Sequence, residues 1–151
     1  MDRPIKRSAA ARWDGDTRKG SGTLSTHSAA IDQLPYAFPN RYEPAPGTNP
    51  EELLAASLAA CFTMTLGSML TTGRHSPQRL MVTTEVTLER IDGSWTITHA
   101  HIEVRGRVID ITAGEFEGLA LETRQGCAVA RALRIPITLD ARLEEDESQR
   151  R

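Results

Sequence analysis

Two thiols stand out among the side chains that could do chemistry. Cys61 lies at the far end of TNPEELLAASLAACF, and Cys127 follows Gly126 near the C-terminus. A cysteine is a nucleophile only as its thiolate. A reactive Cys61 therefore needs something to lower its pKa inside a largely apolar helix that would otherwise raise it, and a nearby fixed cation is the simplest device. Cys127 has local help, because Gly126 breaks the preceding segment and leaves the thiol at or near the start of CAVARAL, where free N–H groups and the helix dipole favour negative charge. Both residues also have a plain reading as small core side chains, the usual fate of free cysteine. They fit neither a Cys-x-x-Cys motif nor a zinc-ligand spacing, so either both are inert or both are redox-active.

The remaining candidates have ordinary explanations of their own. Glu51 and Glu52 fall in the first turn of a predicted helix, where the dipole favours acidic residues whatever else they do. Arg41 sits in a Pro-rich stretch, and arginine is by default a solvated surface charge. His99 and His101 share one face of a strand but lack a third ligand, so they read as surface residues and no metal is expected. His27 and His75 are isolated. GDTRKGSG lacks both a following helix and the Lys-Ser/Thr order of a phosphate-binding loop, so it reads as a turn.

These residues need elements to position them. Asn49 supplies a helix N-cap, Pro50 occupies the first helical position, and Glu52 completes an Asn-x-x-Glu capping pattern. The helix should run to about Thr72, with Gly73 as its stop and Pro77 just beyond. No charge occurs from Leu53 to Gly73, 21 positions, which is the length of a membrane span. Ser57, Thr63, Thr65, Gly67, Ser68, Thr71 and Thr72 are too polar or too helix-weakening a set for a lipid-facing helix. The expectation is no membrane span, and a helix buried on every side.

Upstream, the first thirty residues read as a hairpin about a Gly/Asp-rich turn. Asp32 to Thr48, with four prolines, reads as a long loop of the kind that is functional or disordered. Downstream, Val82, Thr84, Val86 and Leu88 alternate on one strand face, and Asp92-Gly93 turns the chain into a second hairpin. Phe116, Leu119 and Ala120 recur at helical spacing up to Gly126, and CAVARAL starts a short further helix. Ile135, Ile137, Leu139, Ala141 and Leu143 then mark a last half-buried strand. The order strands, helix, strands, helices, strand predicts an α+β fold with mainly antiparallel sheet.

The chain has 151 residues, about one domain's worth. The expectation is a single domain over 1–143 and a charged, disordered tail, EEDESQRR, over 144–151. A net charge of -2 and 5% aromatic residues, with no long Lys/Arg stripe, argue against nucleic acid as a partner. The N-terminus has positive charges but no apolar run of the kind a secretory signal needs. The expected compartment is the cytoplasm, where a structural disulfide would be unusual.

GTNPEELLAASLAACF together with Gly126-Cys127 resembles the core signature of the OsmC/Ohr family of thiol-dependent hydroperoxide reductases. The resemblance extends from RWDGD and GSGTLST through PYAFPNRYE to the final PITLDARL strand, and the early hairpin and the Tyr-Ala-Phe-Pro-Asn-Arg loop are similar to the OsmC branch. It implies that Cys61 is the peroxidatic nucleophile and Cys127 its resolving partner. Arg41 would stabilise the thiolate and the leaving group, and Glu51 would orient Arg41 through a bidentate ion pair. It also implies sheets wrapped around long central helices in an intertwined homodimer. It further implies that no cofactor is bound and that an external dithiol, lipoyl-type or other, reduces a Cys61–Cys127 disulfide. One departure is visible: Cys-Ala-Val-Ala stands at 127–130 where the family often has Cys-Pro-x-Ser.

The function that follows is reduction of organic hydroperoxides, and more weakly of hydrogen peroxide, to alcohols through a Cys61 sulfenic acid. The alternative is a non-catalytic small-molecule or lipid-binding stress protein with incidental cysteines. Spacing adds one expectation. Glu51 and Cys61 are ten residues apart, about 15 Å along a continuous helix, so Glu51 at each site is expected from the partner subunit across a two-fold axis.

Overall fold

The structure is a computed structural model that describes residues 3–144. The chain forms two compact units that divide between Leu53 and Leu54.

The N-terminal unit is built on an antiparallel sheet in the order β1-β2-β3, comprising β1 (Ala9–Asp14), β2 (Ser21–Thr26) and β3 (Leu34–Tyr36). The expected hairpin is present. Its turn is closed by the Asp16 carboxylate, which accepts from the backbone N–H groups of Arg18 and Lys19, both at 2.8 Å. The predicted long loop is more ordered than its prolines suggest. Leu34–Tyr36 pairs with β2, and Pro35 is tolerated because an edge strand has one side with no ladder to feed. A single 3-10 turn follows at Phe38–Arg41. The amide of the buried Asn40 donates to the carbonyls of Ala45 (3.1 Å) and Pro46 (2.7 Å), which folds the rest of the loop around it.

The helix α1 (Pro50–Thr72) starts as its sequence demands. The Asn49 side chain accepts from the Glu52 N–H at 2.8 Å, the expected cap. The Glu52 carboxylate accepts from the Thr48 hydroxyl, also at 2.8 Å. A complete reciprocal capping box occurs instead at Thr112 and Glu115, where α2 (Ala113–Gly126) begins.

The C-terminal unit holds the second sheet, in the order β4 (Ser76–Ile91), β5 (Ser94–Ile109) and β6 (Ile137–Leu143). The β4–β5 hairpin turns at Asp92 and Gly93, both with positive φ (47° and 82°), which is the signature of a two-residue hairpin turn matched to strand twist. β6 pairs with β5 in parallel, so this sheet is mixed. The crossover between them carries α2 and α3 (Ala128–Ala132), as a parallel connection requires.

The core is a seam between α1, β5 and α2. Leu58, Phe62, Leu66 and Leu70, spaced four apart on α1, are fully buried, as are Ala100, Ile102 and Val104 on β5 and Phe116 and Ala120 on α2. Each large side chain among them contributes roughly 1.5–3 kcal/mol by leaving water. α2 comes close to the sheet because Gly106 has no side chain: a Cβ there would lie 2.5 Å from the Phe116 ring. Arg124 ties the other end of α2 to the Ile137 carbonyl at 3.2 Å.

α1 has the length and composition of a membrane span, but one stripe of it packs into this core. The expectation of burial on every side fails within one chain. Ala56, Ser57, Ala60, Met64 and Ser68 are exposed, Met64 to 77%, because the unit covers a single face of the helix. Of the expected tail, Glu144 is held by its N–H to the Gly106 carbonyl (2.8 Å) and by an ion pair to Arg79 (2.7 Å). Residues 145–151 lie outside the described residues.

Candidate active site

The two cysteines come together. Cys61 is half-buried on α1, between the exposed Ala60 and the fully buried Phe62. Cys127 is fully buried at the junction where α2 ends and α3 begins. The junction is anchored from both sides. The Cys127 N–H donates to the Thr123 carbonyl at 2.8 Å, and the Cys127 carbonyl accepts from Arg131 at 3.0 Å. The buried Thr123 hydroxyl lies 2.8 Å from the Leu119 carbonyl and 3.2 Å from the Met69 sulfur of α1.

At Cys61, burial pushes the thiol up, but hydrogen bonds outweigh it and hold the group below the ordinary thiol range. In order of effect these come from the Cys127 thiol, the Val129 and Ala128 N–H groups and the Thr65 hydroxyl. At Cys127 burial also pushes up, and the proton it shares with Cys61 pushes the same way, more than the N–H groups of Ala130 and Val129 can offset. Of the two thiols, Cys61 is therefore the one that ionises first, with the Cys127 thiol as its hydrogen-bond donor.

The sequence expects the N–H groups at the start of CAVARAL to favour charge on Cys127. Those of Ala130 and Val129 do lower it, but Cys127 stays raised, and those of Val129 and Ala128 also lower Cys61. The reason is desolvation: the fully buried sulfur is the costlier of the two to charge. What lowers Cys61 here is a set of hydrogen-bond donors. Backbone donors leave no trace in residue identity, so sequence reading could not find them. Thr65 could have been found, since it lies four residues after Cys61 and so on the same helix face.

The Arg41 and Glu51 side chains also meet, within the N-terminal unit. Arg41 Nε donates to both Glu51 carboxylate oxygens, at 3.1 and 3.3 Å, and Nη2 donates to Oε1 as well. Glu51 is buried, and only 28% of the Arg41 side chain is exposed, so the reading of Arg41 as a solvated surface charge does not hold. The guanidinium pKa is raised, first by the hydrogen bonds to Glu51, with a smaller contribution from Tyr42, which also hydrogen-bonds to it. The Tyr42 ring packs edge-on against Phe38, with centroids 5.6 Å apart. Sequence reading passed over Tyr42. Because Arg41 pairs with the Glu51 of its own chain, any site that receives one receives both.

Beside Arg41 the same unit contains a cavity of about 330 Å³, walled by Trp13, Tyr36, Ala37, Phe38 and Pro50, with Thr17 and Arg41 as its polar members. His99 Nε2 and His101 Nδ1 both reach the Thr138 hydroxyl, at 3.0 and 2.7 Å, on the exposed face of the second sheet. Among the described residues, no group of three or more His, Cys, Asp or Glu side chains is arranged to hold a metal ion.

The OsmC-like protein family model matches residues 43–142. Peroxiredoxin OsmC of Escherichia coli strain K12 is 39% identical over 140 residues, 93% of this chain and 98% of that protein. Peroxiredoxin OsmC of Shigella flexneri matches to the same extent. Among solved structures, an OsmC-like protein from Mycoplasma pneumoniae has a TM-score of 0.74 at 17% identity, covering 96% of this chain and 100% of its own. An organic hydroperoxide resistance protein from Elizabethkingia anophelis has a TM-score of 0.72 at 21% identity, covering 97% and 100%. At these identities the two structures speak for the fold. With the family model matched over 43–142 and 39% identity across nearly the whole chain, this protein belongs to the OsmC-like family.

Proposed function

We propose that the protein is a cysteine-based peroxidase that reduces organic hydroperoxides, and hydrogen peroxide more weakly, to alcohols. The observation that carries the reading is the Cys61–Cys127 pair: a half-buried thiol held below the ordinary range, hydrogen-bonded to a second, fully buried thiol held above it. The similarity to proteins named peroxiredoxin supports it. A binding protein with incidental core cysteines has no use for either feature.

The Cys61 thiolate attacks the terminal oxygen of R–O–O–H. An S–O bond forms as the O–O bond breaks, and the electron pair leaves with the alkoxide, which takes a proton to become the alcohol. Cys61, oxidised by two electrons, is left as the sulfenic acid. Cys127 then attacks the Cys61 sulfur. An S–S bond forms, and the sulfenic hydroxyl leaves as water with the Cys127 proton. An external dithiol returns both thiols through two exchanges and is itself oxidised to a disulfide.

Arg41, oriented by Glu51, supplies positive charge to the developing alkoxide and to the thiolate. On the helix-length argument, the Arg41–Glu51 pair at each site comes from the partner subunit of a homodimer, and the exposed apolar face of α1 supports such a partner. The apolar cavity beside Arg41 is suited to an alkyl or aryl substituent, which favours organic hydroperoxides. The protein acts in the cytoplasm and needs no bound cofactor.

A steady-state assay comparing hydrogen peroxide with a bulky organic hydroperoxide, run with a lipoyl-type dithiol and a monothiol in parallel, tests the activity, its substrate class and its reductant. Turnover with the organic substrate and the dithiol is expected to be highest. No turnover with either peroxide under either reductant would end the proposal.

A further inference from the structure

Three threonines on α1 make the same local bond, each donating to the carbonyl four residues back: Thr63 to Ala59 (2.7 Å), Thr65 to Cys61 (2.9 Å) and Thr71 to Gly67 (2.8 Å). In a helix interior this bond is of little value, because that carbonyl already has its helical partner. Thr65 differs from the other two in its target. The residue whose carbonyl it meets is Cys61, so the hydroxyl lies on the helix turn that carries the Cys61 side chain, one face of the helix holding both, and it acts to lower that thiol.

We propose that Thr65 is a positioning residue for the nucleophile, its one hydroxyl proton resting on the Cys61 carbonyl while the sulfur is protonated and turning to the sulfur when Cys61 ionises. A hydroxyl rotor has a single proton and needs only rotation about Cβ–Oγ to change acceptors. A hydrogen bond to an ionised acceptor is roughly twice as strong as a neutral one, so the proton follows the charge. The side chain itself stays in place, because a helical residue covers the turn N-terminal to its own Cα, and here that turn carries Cys61. The other groups that hydrogen-bond to the sulfur are the Cys127 thiol and the N–H groups of Ala128 and Val129. Of these only Cys127 titrates, and it approaches from the α2–α3 junction, opposite in sequence and in element to Thr65. Thr65 thereby fixes the sulfur from the α1 side while the junction fixes it from the other.

The inference rests on the reading of Cys61 as the nucleophile, but its test does not require peroxide turnover. Reduced protein is alkylated with iodoacetamide over a pH series, and the Cys61 peptide is followed by mass spectrometry. Thr65→Val, which keeps the shape and removes the proton, is expected to move the rate profile to higher pH and to slow Cys61 alkylation about fivefold near neutrality, the effect of losing roughly one hydrogen bond. Thr65→Ser should restore the wild-type profile. Thr63→Val, which removes the same carbonyl bond away from the thiol, should leave it unchanged. A Thr65→Val profile superimposable on wild type would overturn the proposal, as would an equal displacement in Thr63→Val. If the profile shifts as expected in a protein that turns over no peroxide, the peroxidase reading fails and the role of Thr65 stands.

Discussion

The Cys61 and Cys127 sulfurs share one proton, and their environments decide which of them carries the charge. Cys61 sits below the ordinary thiol range, so its thiolate forms at lower pH than that of a free thiol and is lost as pH falls through the lowered midpoint. Cys127 sits above that range and keeps its proton well past neutrality. The two titrate as a pair, and replacing one must move the other. Cys127→Ala removes the strongest of the hydrogen bonds lowering Cys61, so the pH profile of Cys61 alkylation is expected to move upward. Cys127→Ser keeps a hydroxyl donor and should move it less. In turnover the same variants separate the chemical steps. Cys61→Ser should consume no peroxide, whereas Cys127→Ser should consume one equivalent and then resist recycling by a dithiol, as read by peroxide loss and thiol titration. Turnover retained in both would end the assignment of roles. At Arg41, Tyr42→Phe removes one holder of the guanidinium and leaves the Glu51 pair, while Glu51→Gln weakens the pair itself. The expected losses in kcat/KM are modest for the first and up to about a hundredfold for the second, the scale of a misplaced catalytic group, with the far-ultraviolet circular dichroism unchanged.

The elements matter because they hold Cys127 at its station. α2 reaches the sheet by laying the Phe116 ring over Gly106, where an added Cβ would stand 2.5 Å from ring carbon. Gly106→Ala should therefore cost about 1–3 kcal/mol as an overpacked core, read in urea denaturation. Because α2 ends at Cys127, the same change should slow formation of the Cys61–Cys127 disulfide. Gly106→Ala with Phe116→Leu makes room for the methyl and should recover part of both losses. The sequence announces the helix starts, the hairpin turns and the alternating strands, because capping, positive φ and burial are written in residue type and local spacing. It does not announce that β6 runs parallel to β5, since alternation is the same in either direction and the choice is made by where α2 and α3 return the chain. Leu34–Tyr36 was hidden by its proline, which an edge strand accepts. Cys61, Cys127, Arg41 and Glu51 are legible as candidates. The inversion at Cys127 is not, because it follows from complete burial of one sulfur and from N–H groups that every residue possesses.

At the scale of the whole molecule, the proposed homodimer assigns the two halves of the proposed site to different chains. One half is the cysteine pair of the C-terminal unit, and the other is the Arg41–Glu51 pair of the N-terminal unit, joined within a chain by hydrogen bonds that keep it together. The apolar helix that runs from Glu51 to beyond Cys61 exposes Met64 to 77% on the side away from its packed stripe, surface that a second copy would cover. A two-fold dimer with shared sites then makes a prediction that no single-chain site can imitate. Cys61→Ser and Arg41→Ala are each expected to be inactive or nearly so as homodimers. When the two are unfolded together and refolded, half the dimers are mixed. In a mixed dimer, one site combines both defects, and the other combines the intact cysteine pair of one chain with the intact Arg41 of its partner. About a quarter of wild-type activity should therefore reappear. If each chain builds its own site, every site in the mixture carries one defect and no activity returns. Met64→Lys, which places a charge in the expected contact, should shift the protein toward monomer in sedimentation and abolish that recovery, because complementation requires the two chains to meet.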